Sequence, residues 1–264
     1  MKRNHFKSAV LGAVLSGLAV ATLTAFASDT AEPAFTASAN VAIVSNYTFR
    51  GVTYTQGKPA VQGGFDLAHS SGAYLGVWGS NVSESPLNGA AGEVDIYGGY
   101  ASSIGAIGYD VGFLKFIFPG GQIAGTGEKY DTLELYASLS WEFLNIKYSR
   151  TLSDYFGFND ESFGLGRGDS KGSHYVEANV AYEFMPGWTF VAHAGHQTVK
   201  NYGDFDFSDW RLGLTRDFEG GWQAGVAWVD TDADKALYTI CNSGGGACKD
   251  TSAGKWVVHL KRSF

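Results

Sequence analysis

Lys255-Trp-Val-Val-His-Leu-Lys-Arg-Ser-Phe264 closes the chain. Counting back in twos from Phe264 gives Arg262, Leu260, Val258 and Trp256; the other parity gives Ser263, Lys261, His259 and Val257. A repeat of two belongs to an extended strand, whose successive side chains point to opposite faces. One face here is oily, with an aromatic residue at each end, and the other is mostly polar. Such a strand fits a soluble sandwich or a barrel whose oily side meets lipid.

The opposite end of the chain gives an address. Met1-Lys-Arg-Asn-His-Phe-Lys7, an apolar run from Ala9 to Ala21, and Ala25-Phe26-Ala27 before Ser28 follow the order of a secretory signal. Cleavage is expected after Ala27, leaving residues 28–264 as one domain. The first 27 residues carry Lys2, Arg3 and Lys7 and no acid, so their removal takes the formal charge from −7 to −10. An acidic chain without basic clusters argues against nucleic acid as a partner. No later stretch is long and apolar enough for a membrane helix. Aromatics at 15% and 36 Gly against 5 Pro favour many strands and turns. Cys241 and Cys248 stand in a Gly-rich stretch. In an oxidising exported compartment they are expected to form a local disulfide. Their spacing is not CxxC and no His lies near, so no metal and no cofactor is expected.

Twelve alternating segments are predicted as strands, near residues 35–50, 60–68, 73–81, 93–101, 107–118, 132–140, 143–151, 175–184, 188–197, 209–216, 221–230 and the closing stretch. In the sixth, Leu133, Leu135, Ala137 and Leu139 stand opposite Thr132, Glu134, Tyr136 and Ser138. In the first, Tyr47 and Phe49 fall on the oily parity and Arg50 comes last. In the third, both parities are apolar and the faces stay unassigned. Connections after the even-numbered strands are short, at 69–72, 102–106, 141–142, 185–187 and 217–220. The others are longer, up to 152–173 and 231–254. This alternation predicts an all-β, up-and-down antiparallel transmembrane barrel with both termini at the short-turn end. Closure also leaves no strand edge open in hydrocarbon. The terminal Phe264, with Trp256 eight positions earlier, resembles the closing signal of Gram-negative outer-membrane barrels, departing from it where Arg262 replaces an aromatic. That resemblance implies two partners, outer-membrane lipid and the outer-membrane assembly machinery.

A second resemblance covers nearly the whole chain after residue 27. Asn40-Val-Ala-Ile-Val-Ser-Asn-Tyr47-Thr-Phe-Arg50-Gly51, followed by Lys58-Pro59-Ala60-Val-Gln62-Gly63-Gly64-Phe65-Asp66, resembles the opening of the TorF family of porins. Gly72-Ala-Tyr74-Leu-Gly76-Val-Trp78, Gly108-Tyr-Asp110-Val-Gly112, Phe118-Pro119-Gly120 and Asp209-Trp210-Arg-Leu-Gly213 are similar to its later blocks. Val52-Thr53-Tyr54-Thr55 departs from it, where a Ser-Gln-like pair is expected after the Arg-Gly. The resemblance implies an outer-membrane pore passing small polar solutes or ions, with no catalytic residues.

With the oily parity outside, the polar parity is expected to line the lumen. It carries Arg50, Asp66, Glu93, Asp95, Asp110, Glu134, Lys147, Glu177, His193 and Arg211. Acids outnumber bases, which predicts a weak cation preference. A two-residue turn at 141–142 pairs Tyr136 with Lys147, with Glu134 one diagonal step away. A turn after Ala101 brings Asp110 near Asp95 and Tyr97 as an acidic stripe. The turn at Pro186 sets His193 opposite Asn179. Arg50 is the expected constriction. The alternative is a non-conducting barrel, its lumen filled by groups that satisfy one another, working through its outer loops. Loop 152–173, with Tyr155, Phe156, Phe158 and Phe163, would be the working surface or would fold inward and narrow the pore. His193, Asn179 and Glu177 are the one set suggestive of catalysis, but no Ser is placed beside them, so no enzyme is expected.

Overall fold

The computed structural model describes residues 34–164, 166–241 and 248–264. The expected signal segment, residues 1–27, lies outside the described residues. Twelve long strands are present: β1 Phe35–Val44, β2 Ala60–His69, β3 Ala73–Ser80, β4 Glu93–Ile104, β5 Ile107–Ile117, β6 Thr132–Trp141, β7 Leu144–Thr151, β8 His174–Met185, β9 Trp188–Thr198, β10 Phe207–Phe218, β11 Trp222–Thr231 and β12 Lys255–Ser263. Each pairs antiparallel with its neighbours in the chain, and β12 returns to β1 to close the barrel. The seam runs from Asn40 opposite Ser263 to Val44 opposite His259. Phe264 extends it, its backbone N–H donating to the Ala39 carbonyl at 2.8 Å.

The period of two sorts every strand. In β7, Asn145, Lys147, Ser149 and Thr151 are buried, while Ile146, Tyr148 and Arg150 are exposed. Outward side chains such as Val61 (59% exposed) and Leu139 (60%) form an apolar girdle that water would penalise and hydrocarbon accepts. The third strand, ambiguous in sequence, turns Trp78 inward and Leu75 and Val77 outward. Its Gly76 makes room for an inward neighbour, since a Cβ there would stand 2.4 Å from the Tyr97 ring.

At the short-turn end, two arginines lie among the aromatics. The Arg262 guanidinium is 5.3 Å from the Trp222 ring centre and 4.8 Å from that of Phe264. Arg216 lies over Trp188 and Phe218 in the same way, at 5.3 and 5.8 Å. The Arg that breaks the aromatic terminal signal is thus a member of the aromatic belt. Its guanidinium stands over the two rings, where the aromatic face attracts a cation.

The first strand departs from expectation. It stops at Val44, and residues 45–59 turn into the barrel instead of extending its wall. The Asn46 side-chain oxygen accepts from Thr53 Oγ1 (2.5 Å), Thr55 Oγ1 (3.0 Å) and Gly57 N (3.1 Å), which ties the loop on itself. Thr48–Phe49 pairs with Val52–Thr53, with Arg50 and Gly51 as the turn between them. Both turn residues have positive φ, 46° and 80°, as a tight two-residue hairpin turn requires. Further along, Cys241 and Cys248 are joined by a disulfide. It links the paired strands Thr239–Cys241 and Cys248–Asp250.

Candidate functional site

The hairpin tip carries Arg50 into the barrel. Its Nη2 donates to Glu134 Oε2 on β6 at 2.8 Å, and its Nη1 to Gln197 Oε1 on β9 at 2.6 Å. The guanidinium also lies 4.1 Å from the centre of the Tyr175 ring on β8 and 4.7 Å from that of Phe49. Burial acts to lower the Arg50 pKa, but the Glu134 carboxylate together with Tyr155 and Tyr175 outweighs it, and the guanidinium stays charged. Gly51 packs on the adjoining strand β10, where a Cβ would stand 2.8 Å from Asp209 Cβ. Its carbonyl accepts from Lys255 Nζ at 2.8 Å. One two-residue turn therefore contacts β6, β8, β9, β10 and β12.

Aromatic side chains fill the space around the hairpin. Phe49 meets Phe116 at 5.3 Å and Phe156 at 5.7 Å between ring centres, and Tyr47 meets Trp78 at 5.5 Å. Tyr54 meets Phe118 at 6.2 Å. Phe116 and Trp78 come from the wall, Phe118 from loop 118–131, and Phe156 from loop 152–173. These rings, with Tyr155, Val199 and Tyr202, form one buried apolar cluster that plugs the long-loop end.

Charge is distributed around this plug. Glu93 and Asp95 are 1% and 2% exposed. Both Glu93 carboxylate oxygens and Asp95 Oδ1 are buried without a hydrogen-bond partner of good geometry. Asp66 accepts from the Tyr97 hydroxyl at 2.5 Å and Asp110 from the Tyr74 hydroxyl at 2.7 Å. Tyr74 also touches the Tyr136 hydroxyl. Lys147 Nζ lies 4.2 Å from the Tyr136 ring centre. His193 hydrogen-bonds Asp209 (2.9 Å) and Tyr175 (2.9 Å) through Nε2 and Asn179 (2.7 Å) through Nδ1, with Glu177 3.5 Å from Nδ1. Toward the short-turn end, Asp66, Asp110, Arg211, His259 and Lys261 keep partial exposure and line a polar vestibule. The barrel interior is thus packed at one end and wet at the other.

The sequence from residue 28 to residue 264 matches a family described as "Bacterial protein of unknown function (Gcw_chp)". The chain belongs to the Gcw_chp family. No curated protein matches it significantly. Two solved structures share the fold of this Gcw_chp barrel. One is titled "KdgM porin in complex with disordered oligogalacturonate", with a TM-score of 0.53 and 9% identity, covering 86% of this chain and 99% of that one. The other is "KdgM porin", with a TM-score of 0.52, 10% identity and the same coverage. A third, the COG4313 outer membrane channel from Pseudomonas putida F1, has a TM-score of 0.47 and 12% identity over 90% of this chain and 100% of that one. At such identities the likeness is one of fold.

In the Gcw_chp barrel, Asp66, Glu93, Asp95, Asp110, Glu134, Lys147, Glu177, His193 and Arg211 all sit on inward strand positions. Arg50 reaches the interior on the folded-in loop instead of from a strand end. Three expected neighbourhoods differ. The two-residue turn lies at 142–143, where Glu142 takes φ 51°, so Lys147 pairs with Ser138 and Tyr136 with Ser149. Glu134 pairs across to Thr151 and bonds Arg50, so no Glu134–Lys147 ion pair forms. β4 runs on to Ile104, so Asp110 pairs with Ala101 and Asp95 with Phe116. The acidic stripe is therefore split, with Glu93 and Asp95 behind the plug and Asp110 in the vestibule. His193 does stand opposite Asn179. Sequence reasoning missed Tyr175, Trp78 and Phe116, and put Tyr47 and Phe49 on the lipid side. A signal existed: in Leu114-Lys115-Phe116 the inward positions are the apolar ones and Lys115 points out. Inverted polarity at a strand end marks a lumen filled by apolar side chains.

Proposed function

We propose that this protein is a narrow outer-membrane channel for small cations and polar solutes, its outer mouth plugged by loop 45–59. The observation that carries the proposal is a sealed strand cylinder, oily outside and charged inside, with a wet vestibule at one end. Long loops mark the outer side and short turns the periplasmic side. Export through residues 1–27 and assembly through the closing strand belong to the same reading, as does the porin role implied by the TorF resemblance. The likeness in fold to KdgM porin supports a channel. That protein's complex is with an oligogalacturonate, a chain of carboxylates, and an interior with more acids than bases disfavours such a polyanion. Among the described residues no Ser or Cys hydrogen-bonds His193, and the group around it supports a structural role.

The plug favours a second reading, a closed barrel that acts through its outer loops. Planar-bilayer recording separates the two. Small cation-selective steps from the purified protein support the channel. Silence from both wild type and Arg50→Ala supports the closed barrel.

A further inference from the structure

Arg150, Lys171 and Lys200 converge on the outer wall at the long-loop end. Arg150 occupies an outward position near the end of β7, beside Leu135 of β6 and His174 of β8. Below it the wall is hydrocarbon-facing, with Tyr148, Leu135 and Val176 all more than 40% exposed. Lys171 and Lys200 come from two different loops, and both are exposed. The three line one open pocket of about 340 Å³ together with Thr151, Leu152, Gly172 and Asp169.

The pocket floor is fixed. Gly172 N donates to Thr151 Oγ1 at 3.0 Å, Lys200 N to Ser173 Oγ at 3.0 Å, and Lys171 N to Asp154 Oδ1 at 3.1 Å. Gly172 brings the bases together: a Cβ there would lie 3.3 Å from the Arg150 guanidinium and 3.7 Å from Lys200 Cδ. Yet among the described residues none of the three bases forms an ion pair. Asp169 on the rim and Asp154 beneath Lys171 offset part of this charge, and the three bases stay in surplus. Like charges held together with too few acids to balance them raise the energy of the empty protein and favour an anion between them.

We infer that this pocket binds a phosphate group of a phosphorylated glycolipid in the outer leaflet. The source follows from position. The pocket faces outward, directly above lipid-contacting side chains, where a headgroup phosphate sits while its acyl chains lie along Tyr148 and Val176. Arg150 offers the planar fork that suits phosphate, and the two lysines add mobile positive charge. The inference rests on the membrane reading of the barrel but not on conductance.

The test uses the full folded chain in dodecyl maltoside micelles, titrated with lipid A, with dephosphorylated lipid A, and with inorganic phosphate. Folding is checked by heat-modifiable electrophoretic mobility. Wild type is expected to bind lipid A saturably. Arg150→Ala/Lys200→Ala, or Lys171→Ala/Lys200→Ala if the first variant does not fold, is expected to weaken binding about twenty-fold. Lys235→Ala, in another loop, is expected to leave binding unchanged. Equal affinity for the dephosphorylated lipid, or unchanged affinity in a folded double variant, overturns the site. Inorganic phosphate saturating it at the same concentration as lipid A overturns the lipid assignment. Silent bilayers together with phosphate-dependent lipid binding would remove the channel and leave this site standing.

Discussion

Arg50 is gripped from several sides at once, and its loss has two separable effects. Arg50→Ala leaves the Glu134 carboxylate buried and unpaired, which costs about 3–5 kcal/mol. It also releases the hairpin tip from β6 and β9. The expected outcome is a lower midpoint in urea unfolding together with larger single-channel steps. Unchanged conductance with lowered stability would mean that the tip does not obstruct the path. Gly51→Ala strikes the same turn through its contact with β10. Its φ of 80° and the 2.8 Å approach to Asp209 Cβ leave no room for a methyl group. A loss of about 1–3 kcal/mol is expected from denaturant titration, again with a less firmly seated hairpin. Arg50 is the expected constriction, but its place on a folded-in hairpin and the packing of Gly51 are not legible from Arg50-Gly51 alone. Tyr47, Thr48, Phe49 and Arg50 alternate like the strand that precedes them, and only the contact with a distant wall tells plug from strand.

Strands were more legible than loops, for a physical reason. A wall strand separates hydrocarbon from a polar interior, so its alternation is imposed by two solvents, as in Leu133 to Leu139. Loop residues 45–59 and 152–173 answer to one another. Phe156 is buried where Phe49 and Phe116 meet it, and Tyr155 packs on Phe156 in turn; nothing local in the sequence encodes that. Registers failed where a turn consumed unexpected positions: at Glu142 the partner of Tyr136 moves from Lys147 to Ser149, and at Ile104 the partner of Asp110 moves from beside Tyr97 to Ala101. The two-stranded element in the last long loop closes on Cys241 and Cys248, seven residues apart. A ring this small contributes about 2–3 kcal/mol of local order. Cys241→Ser/Cys248→Ser is therefore expected to make residues 232–254 more sensitive to protease. The barrel's melting temperature should stay unchanged, because the ladders between its twelve strands do not include the disulfide-joined strands Thr239–Cys241 and Cys248–Asp250.

Across the whole barrel the inward charge is unevenly shared. Asp66 and Asp110 sit in the wet vestibule on tyrosine hydroxyls, whereas Glu93 and Asp95 lie behind the plug. In the proposed channel, the vestibule pair is the part of the acidic surplus that a passing ion would meet. In a tenfold KCl gradient, wild type is expected to show a reversal potential of cationic sign. Asp66→Asn/Asp110→Asn is expected to move it toward zero, the amides keeping the tyrosine hydrogen bonds. An anionic sign in wild type would reject the cation preference.

The seam between the first and last strands has a kinetic consequence. Eleven of the twelve pairings join neighbours along the chain and form from local hairpins, but Asn40 must find Ser263 across almost the entire polypeptide. Such a high-separation contact is entropically late and slow. Until it forms, two ribbons of unpaired amides face the bilayer. Removing Phe264 deletes the final rung, its two-way bond with Ala39. Insertion into liposomes followed by gel shift is expected to show slower refolding for this truncation, with little change in the unfolding rate of barrels already closed.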